Sequence, residues 1–272
     1  MMRPPFLVTF GLAAALMATN LPAAPAARTP PSAVSFYGDS GVPDISGIWL
    51  GMTMGIPGVG PQSNSGATAD GRPPTYFTPW PLPYTTQYQK IYDDRVKSAK
   101  GGRALGDIGS RCLPFGLPHM LTSKFYPDEV VQTPGHVVIF VFGTFPIVIW
   151  TDGRGHPADL KPSYNGHSIG EWRGDTLVVD TVGIVETTPM DTARNPHSGD
   201  MHIKWTMRRV APDVVHVSLT FYDDKAFTEP VAMTQIWHRK SGPEWAVLDD
   251  QSCFENNQDV APPPTADGFI KF

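Results

Sequence analysis

Residues 164–183 read YNGHSIGEWRGDTLVVDTVG, and this stretch decides the fold. Two runs that suit strands, 168–172 and 175–181, flank the pair Arg173-Gly174. An X-Gly pair between such runs is typical of a tight hairpin turn, because glycine tolerates the positive φ angle that the turn requires. The stretch therefore predicts a β-hairpin, with His167 at the start of its first strand, a position where binding and catalytic side chains are often displayed.

Strand patterns also dominate the chain outside this hairpin. Residues 201–210 and 214–222 alternate apolar and polar side chains most cleanly, and matching their faces predicts Trp205 opposite Leu219 and Arg208 opposite His216. The continuous apolar run 137–142 indicates burial on both faces. One helix is predicted over 85–99, where apolar residues form a single stripe before Gly101-Gly102. Further strand patterns cover 45–51, 129–133, 136–143, 145–151, 231–239 and 245–250.

Short turns join most of these strands, which favours a closed antiparallel β-barrel, with a β-sandwich as the main alternative. The Gly47-Ile48-Trp49 run resembles the first-strand signature of lipocalin-like barrels, in which the Trp fills the closed end. We therefore predict a mainly β, lipocalin-like barrel with one short helix and a long Pro/Gly-rich N-terminal segment. Residues 55–83 are rich in Gly, Pro, Ser and Thr, and aromatic residues alternate with proline over 76–83. The segment is either a strap on the outside of the barrel or a lid over a cavity.

The N-terminus has the features of a secretory signal. Arg3 precedes an apolar run over 6–17, and small residues at 24–26 suit cleavage. The apolar run is too short for a membrane span, and no later run reaches that length. We expect a periplasmic or secreted protein without a transmembrane segment, divided into a signal peptide (1–26), a flexible leader (27–43), one barrel domain (44–258) and a C-terminal tail (259–272).

Charge and cysteine content limit the partners. The net charge is −5 and no basic run occurs, so nucleic acid is not an expected partner. Cys112 and Cys253 are the two cysteines, and in an oxidising compartment they are candidates for a disulfide. A homodimer is compatible with the sequence.

The ionisable residues point to proton chemistry. The sequence contains no nucleophile elbow, phosphate-binding glycine loop, dinucleotide fingerprint or zinc-peptidase motif, so we expect no cofactor. We do not expect a metal either, because a site would have to assemble from separate loops. Imidazole titrates near neutral pH and can both accept and donate a proton, although surface histidines also serve as simple caps. The candidate catalytic residues are His167, His197, Arg154, Tyr164 and Asp180, and the candidate binding residues are His156, His202, Trp205 and Arg208.

Several stretches together make the chain similar to a large group of exported bacterial proteins, frequent in sphingomonads and acidobacteria and without an assigned function. The matching stretches are 43–49, 111–114, 151–157, 166–172, 174–181, 196–198 and 253–257. The resemblance transfers no catalytic residue. Such bacteria degrade aromatic compounds, including lignin-derived ones, and this association suggests a class of substrate.

Two functions follow as expectations. The first is a cofactor-independent lyase or isomerase that acts on a hydrophobic phenolic molecule by histidine acid–base catalysis, with formaldehyde as one conceivable product. Its rings would be held in an apolar barrel lined by Trp, Phe and Met. The alternative is a lipocalin-like periplasmic carrier of a small apolar ligand. A purely structural envelope protein is a third reading, and it would have neither a ligand-shaped cavity nor converging histidines.

Overall fold

A computed structural model describes residues 42–53, 81–100, 112–123, 127–141, 145–191, 193–242 and 245. The predicted signal peptide, most of the leader and the strap, the strand at 245–250 beyond Trp245, and the C-terminal tail lie outside these residues. The described helices and strands are β1 (Gly47–Thr53), α1 (Thr86–Lys100), α2 (His119–Thr122), β2 (Asp128–Thr133), β3 (His136–Phe140), β4 (Ile147–Trp150), β5 (His167–Arg173), β6 (Thr176–Val182), β7 (His202–Ala211), β8 (Val214–Tyr222) and β9 (Val231–Lys240).

The nine described strands form one closed barrel in chain order, in which β9 pairs with β1. The prediction of a mainly β barrel is confirmed, and the β-sandwich alternative is wrong. Every neighbouring pair is antiparallel except β4 and β5, which run parallel and pair only at Ile149↔Ser168 and Trp150↔Ile169. The long connection between these two strands, which contains Arg154 and His156, makes the parallel arrangement possible.

The hairpin predicted from the opening stretch forms as β5 and β6. Arg173 pairs with Thr176, so the turn residues are Gly174 and Asp175, one position later than the sequence pattern indicated. Gly174 supplies the positive φ, at 61°. In the next hairpin, the predicted pairs Trp205↔Leu219 and Arg208↔His216 are both confirmed.

The barrel interior is a packed core. Trp49, Trp205 and Trp237 are fully buried, and each indole N–H has an acceptor. Trp49 donates to the Ile45 carbonyl at 2.9 Å, Trp205 to Thr181 Oγ1 at 3.1 Å and Trp237 to Gln235 Oε1 at 2.8 Å. Satisfied N–H groups remove the main penalty for burying indole rings, so the interior stays closely packed.

Burial along the strands follows one face only. In β3, Val137 and Ile139 are buried, whereas Phe140 is 36% exposed. The expectation that the run 137–142 is buried on both faces is therefore wrong for the described residues. Within the described ranges, no helix is long and apolar enough to cross a membrane.

Candidate functional site

Three histidines and one aspartate meet on the outer surface of the barrel. His167 begins β5, Asp180 lies near the end of β6, and His202 begins β7, so neighbouring strands bring them to one end of the barrel. Their strand neighbours Ser168, Thr181 and Ile203 are buried, and by alternation the three ionisable side chains face outward. His156 joins them from the connection between β4 and β5. We call these four side chains the histidine cluster.

The contacts within the cluster form a chain. His156 Nδ1 lies 2.8 Å from His167 Nδ1, and the two rings meet edge to face. On its other side, His156 Nε2 lies 3.8 Å from Asp180 Oδ1. The same carboxylate oxygen forms a hydrogen bond with His202 Nε2. The order of contacts is therefore His167, His156, Asp180, His202.

A groove opens beside His167 on the same outer surface. Its volume is about 350 Å³, within the range of small-molecule sites. The walls are mainly apolar and aromatic, with several polar side chains among them. The lining side chains used below are Phe145, Val148, Trp150, Tyr164, Asn165 and His167.

The groove lies over the short parallel contact between β4 and β5. Val148 and Trp150 alternate with the fully buried Ile147 and Ile149, so their side chains stand on the outside of the barrel. The opposite wall is held by Asn165, whose amide donates to the carbonyls of Phe145 at 2.7 Å and Pro146 at 3.2 Å. These bonds fix the segment before β5 against the start of β4.

Gly166 sets the position of His167. Its φ of 61° lies in the left-handed region, and a Cβ at this position would approach the Val182 carbonyl oxygen to 2.5 Å. Only glycine permits both the conformation and this close approach. The backbone therefore delivers the His167 side chain to the end of the groove.

Of the predicted catalytic residues Arg154 and Tyr164, one lines the groove and the other lies beside it. Tyr164 is part of its wall. The Arg154 guanidinium stands 3.7 Å from the centre of the Trp150 ring and also binds Asp152, with Nη2 donating to Oδ2 at 2.6 Å. The guanidinium is thus engaged in an exposed ion pair, and its hydrogen bond lowers the pKa of the Asp152 carboxyl.

The environment keeps His167 neutral. Partial burial is the largest cause that lowers its pKa, followed by the proximity of His156 and of the Arg154 cation. Desolvation and neighbouring positive charge both disfavour the imidazolium form. A neutral imidazole at the end of an apolar groove can act as a base.

The remaining predicted site residues lie elsewhere. His197 is buried, with Nε2 2.9 Å from Thr188 Oγ1. Trp205 belongs to the barrel core, and Arg208 forms an exposed ion pair with Asp175 at 2.7 Å. We expected all four candidate histidines to serve a substrate held inside an apolar barrel. Instead, three gather near one end of the barrel on its outside, and core side chains fill the interior.

In the described part of the chain, no group of three or more His, Cys, Asp or Glu side chains is arranged to hold a metal ion. Cys253, the predicted partner of Cys112, lies outside the described residues. The disulfide stays a prediction.

Sequence reasoning missed the wall of the groove. Phe145, Val148, Trp150 and Asn165 were not among the candidates, because an apolar run such as IVIW gives no sign of which face is exposed. Asn165 was the easier of these residues to find, because an Asn-Gly pair is typical of a turn and this one directly precedes the candidate His167.

The stretches that carry the resemblance to the exported bacterial group include three of the four cluster residues. Residues 151–157 contain His156, and residues 166–181 contain His167 and Asp180. The resemblance itself stays a prediction. Comparisons of the chain with family models, curated proteins and solved structures found no match.

Proposed function

We propose that this protein is an exported enzyme, a lyase or isomerase that uses His167 as an acid–base residue on a hydrophobic aromatic small molecule. One observation carries the proposal. His167 lines a groove of about 350 Å³ with aromatic walls, while the second nitrogen of its ring is held by His156. A base held in a fixed orientation next to an apolar site is the arrangement that proton transfer requires.

The groove supports an aromatic substrate. Phe145 is 64% exposed, and Trp150 presents its ring on the outer surface of β4. Exposed aromatic side chains bind flat apolar rings with large contact areas and favourable ring geometry. A groove of about 350 Å³ suits a molecule of one or two rings.

Proton transfer by His167 accounts for both reaction types. In an isomerisation, Nε2 takes a proton from one carbon of the substrate and returns it to another. In a formaldehyde-releasing cleavage, Nε2 takes the proton of a primary hydroxyl group, the adjacent C–C bond breaks as the C=O bond forms, and the electron pair left on carbon takes the proton back. Tyr164 also lines the groove, and we assign its hydroxyl group the role of donor to a substrate oxygen that gains negative charge.

The test is incubation of the purified mature protein with a panel of phenolic dimers and other hydrophobic aromatic compounds, followed by mass spectrometry. His167→Gln should lower turnover by about two to four orders of magnitude, the usual contribution of an acid–base residue. His216→Gln is the matched control, because His216 is an exposed histidine on the outer face of β8. Its turnover should equal that of the wild type.

The same assay separates an enzyme from a carrier. A carrier binds a compound of the panel without converting it, and His167→Gln leaves its affinity within a few-fold. Binding without conversion, unaffected by this substitution, would falsify the enzymatic proposal. The carrier would then be the better description, with the outer groove rather than the packed interior as its binding site.

A further inference from the structure

The contacts in the histidine cluster determine which ring nitrogen of each histidine carries the hydrogen. We infer that Asp180 is a positioning residue that sets the tautomers of His156 and His167, and thereby leaves Nε2 of His167 unprotonated. The role of this arrangement in catalysis rests on the function proposed above. The assignment of the tautomers is independent of that function.

The argument begins at the Asp180 carboxylate. An ionised carboxylate only accepts hydrogen bonds, so the His202 Nε2 that binds Asp180 Oδ1 must carry a hydrogen. His156 Nε2 is buried 3.8 Å from the same oxygen, and it has no hydrogen-bond partner among the described residues. A lone pair facing the carboxylate would be repelled, whereas an N–H group is attracted. Asp180 therefore favours the hydrogen of His156 on Nε2.

The proton on Nε2 decides the role of the other nitrogen. A neutral imidazole carries one N–H, so Nδ1 of His156 becomes an acceptor. The 2.8 Å contact between His156 Nδ1 and His167 Nδ1 requires one donor and one acceptor. Nδ1 of His167 must then be the donor, and its Nε2 keeps a free lone pair.

The neighbouring charges agree with this direction. Arg154 stands close enough to His167 to lower its pKa, which favours the neutral form of the ring. Lys204 is the cross-strand partner of Asp180 on β7, and its ammonium group lies 5.6 Å from the centre of the Tyr222 ring. Arg154 thus acts at the His167 end of the cluster, and Lys204 lies opposite Asp180 on the neighbouring strand.

A metal ion at Asp180 would reverse the direction. A metal bound to His156 Nε2 would take its lone pair, and the hydrogen of His156 would move to Nδ1. His167 Nδ1 would then accept, and His167 Nε2 would carry the hydrogen. The tautomer of His167 therefore shows whether a hydrogen or a metal ion lies between His156 Nε2 and Asp180.

The experiment is a long-range ¹H–¹⁵N correlation spectrum of the folded, ¹⁵N-labelled protein at neutral pH, recorded before and after treatment with a chelator. We expect Nδ1 to be protonated and Nε2 unprotonated in His167, and the opposite in His156, with no change on chelation. Protonated Nε2 in His167 would overturn the inference. A tautomer that changes on chelation would overturn it as well, in favour of a metal.

Asp180→Asn tests the cause. The amide removes the charge that selects the tautomer, so His156 and His167 should each show a mixture of tautomers. Asp175→Asn is the matched control, because Asp175 is an exposed carboxylate of the same hairpin that binds Arg208 instead. Its spectrum should match the wild type, and an identical spectrum for Asp180→Asn would overturn the inference.

A turnover measurement distinguishes failure of this inference from failure of the proposed function. With a substrate from the panel, Asp180→Asn should lower kcat at least about tenfold with KM little changed, because a wrong tautomer removes the base without removing the groove. If the expected tautomers are found but no compound is converted, the proposed function fails while the inference holds. If turnover needs His167 but Asp180→Asn leaves the tautomers unchanged, the inference alone fails.

Discussion

His197 is held in one protonation state by its surroundings. Its Nδ1 lies 2.7 Å from the Ser198 carbonyl oxygen, which can only accept, so Nδ1 carries the hydrogen. Nε2 lies 2.9 Å from Thr188 Oγ1, whose hydroxyl group also has the Leu117 carbonyl oxygen as an acceptor at 2.6 Å. Complete burial is the main cause that lowers the pKa of His197 from 6.5 to about 4. The ring is therefore neutral in the folded protein at neutral pH.

This shift predicts that the folded protein loses stability in mild acid. The pKa in the folded state, about 4, lies below the value of 6.5 expected for an unfolded chain. The unfolded state therefore binds a proton first, and the contribution of His197 is complete above pH 6.5 and is lost as the pH falls toward 4. The loss amounts to about 3 kcal/mol at most.

Urea unfolding at pH 7 and at pH 4.5 measures the effect. His197→Gln cannot titrate, so its free energy of unfolding should fall less between these two pH values than that of the wild type. His216→Gln, which replaces an exposed histidine, should behave like the wild type. Parallel pH curves for the wild type and His197→Gln would contradict the assignment.

Part of the histidine cluster could be predicted from the sequence. The members of the histidine cluster were all among the predicted residues, because histidines near a carboxylate are a recognisable chemical pattern. Their exposure followed from alternation, since Leu177 and Val179 are buried and Asp180 must face the other way. The pairing of His156 with Asp180 could not be predicted, because the connection that carries His156 has no periodic pattern.

Among the elements, the start of β5 depends on one glycine. Gly166 and Gly174 have the same φ of 61°, but they differ in their surroundings. A Cβ on Gly166 would meet the Val182 carbonyl oxygen at 2.5 Å, whereas nothing lies within 4 Å of a Cβ on Gly174. A side chain at Gly174 would cost only backbone strain, whereas one at Gly166 would cost the same strain and a steric clash as well.

Alanine substitutions at these glycines should have different effects. Gly174→Ala should lower the free energy of unfolding by about 1–2 kcal/mol, the cost of a left-handed residue with a side chain. Gly166→Ala should cost more and should also lower turnover, because β5 must shift away from β6 and carry His167 with it. Chemical denaturation and the panel assay measure both. Equal losses at the two sites would show that the contact with Val182 is relieved easily.

The inward and outward faces of a strand could be predicted from the sequence wherever its outward residues are polar. Residues 201–208 and 215–222 alternate strictly, and the predicted faces and pairs of β7 and β8 followed from that pattern. β4 offered no such guide, because its outward residues Val148 and Trp150 are as apolar as its inward ones. The exposed apolar face that the sequence pattern hides is the wall of the groove.

For the whole molecule, the predicted disulfide between Cys112 and Cys253 would join two distant parts of the chain. The entropy model gives about 5 kcal/mol for closing so long a loop. Mass spectrometry of unreduced peptides should find the two cysteines linked. Cys112→Ser and Cys253→Ser should each lower the Tm by the same amount, and the double variant should lower it no further. An additive loss would show that the cysteines act independently.

The parallel contact between β4 and β5 is the shortest ladder among the described strands. It holds two residue pairs, whereas the β7–β8 ladder runs from His202↔Tyr222 to Ala211↔Val214. Few ladder bonds mean a low free energy of local opening, so the amides between β4 and β5 should exchange hydrogen faster than those between β7 and β8. Because the groove spans this contact, a bound aromatic ligand should bridge Trp150 and His167 and slow exchange there, while β7–β8 serves as the internal control. Hydrogen exchange followed by NMR tests both expectations, and uniform protection around the barrel, unchanged by ligand, would contradict them.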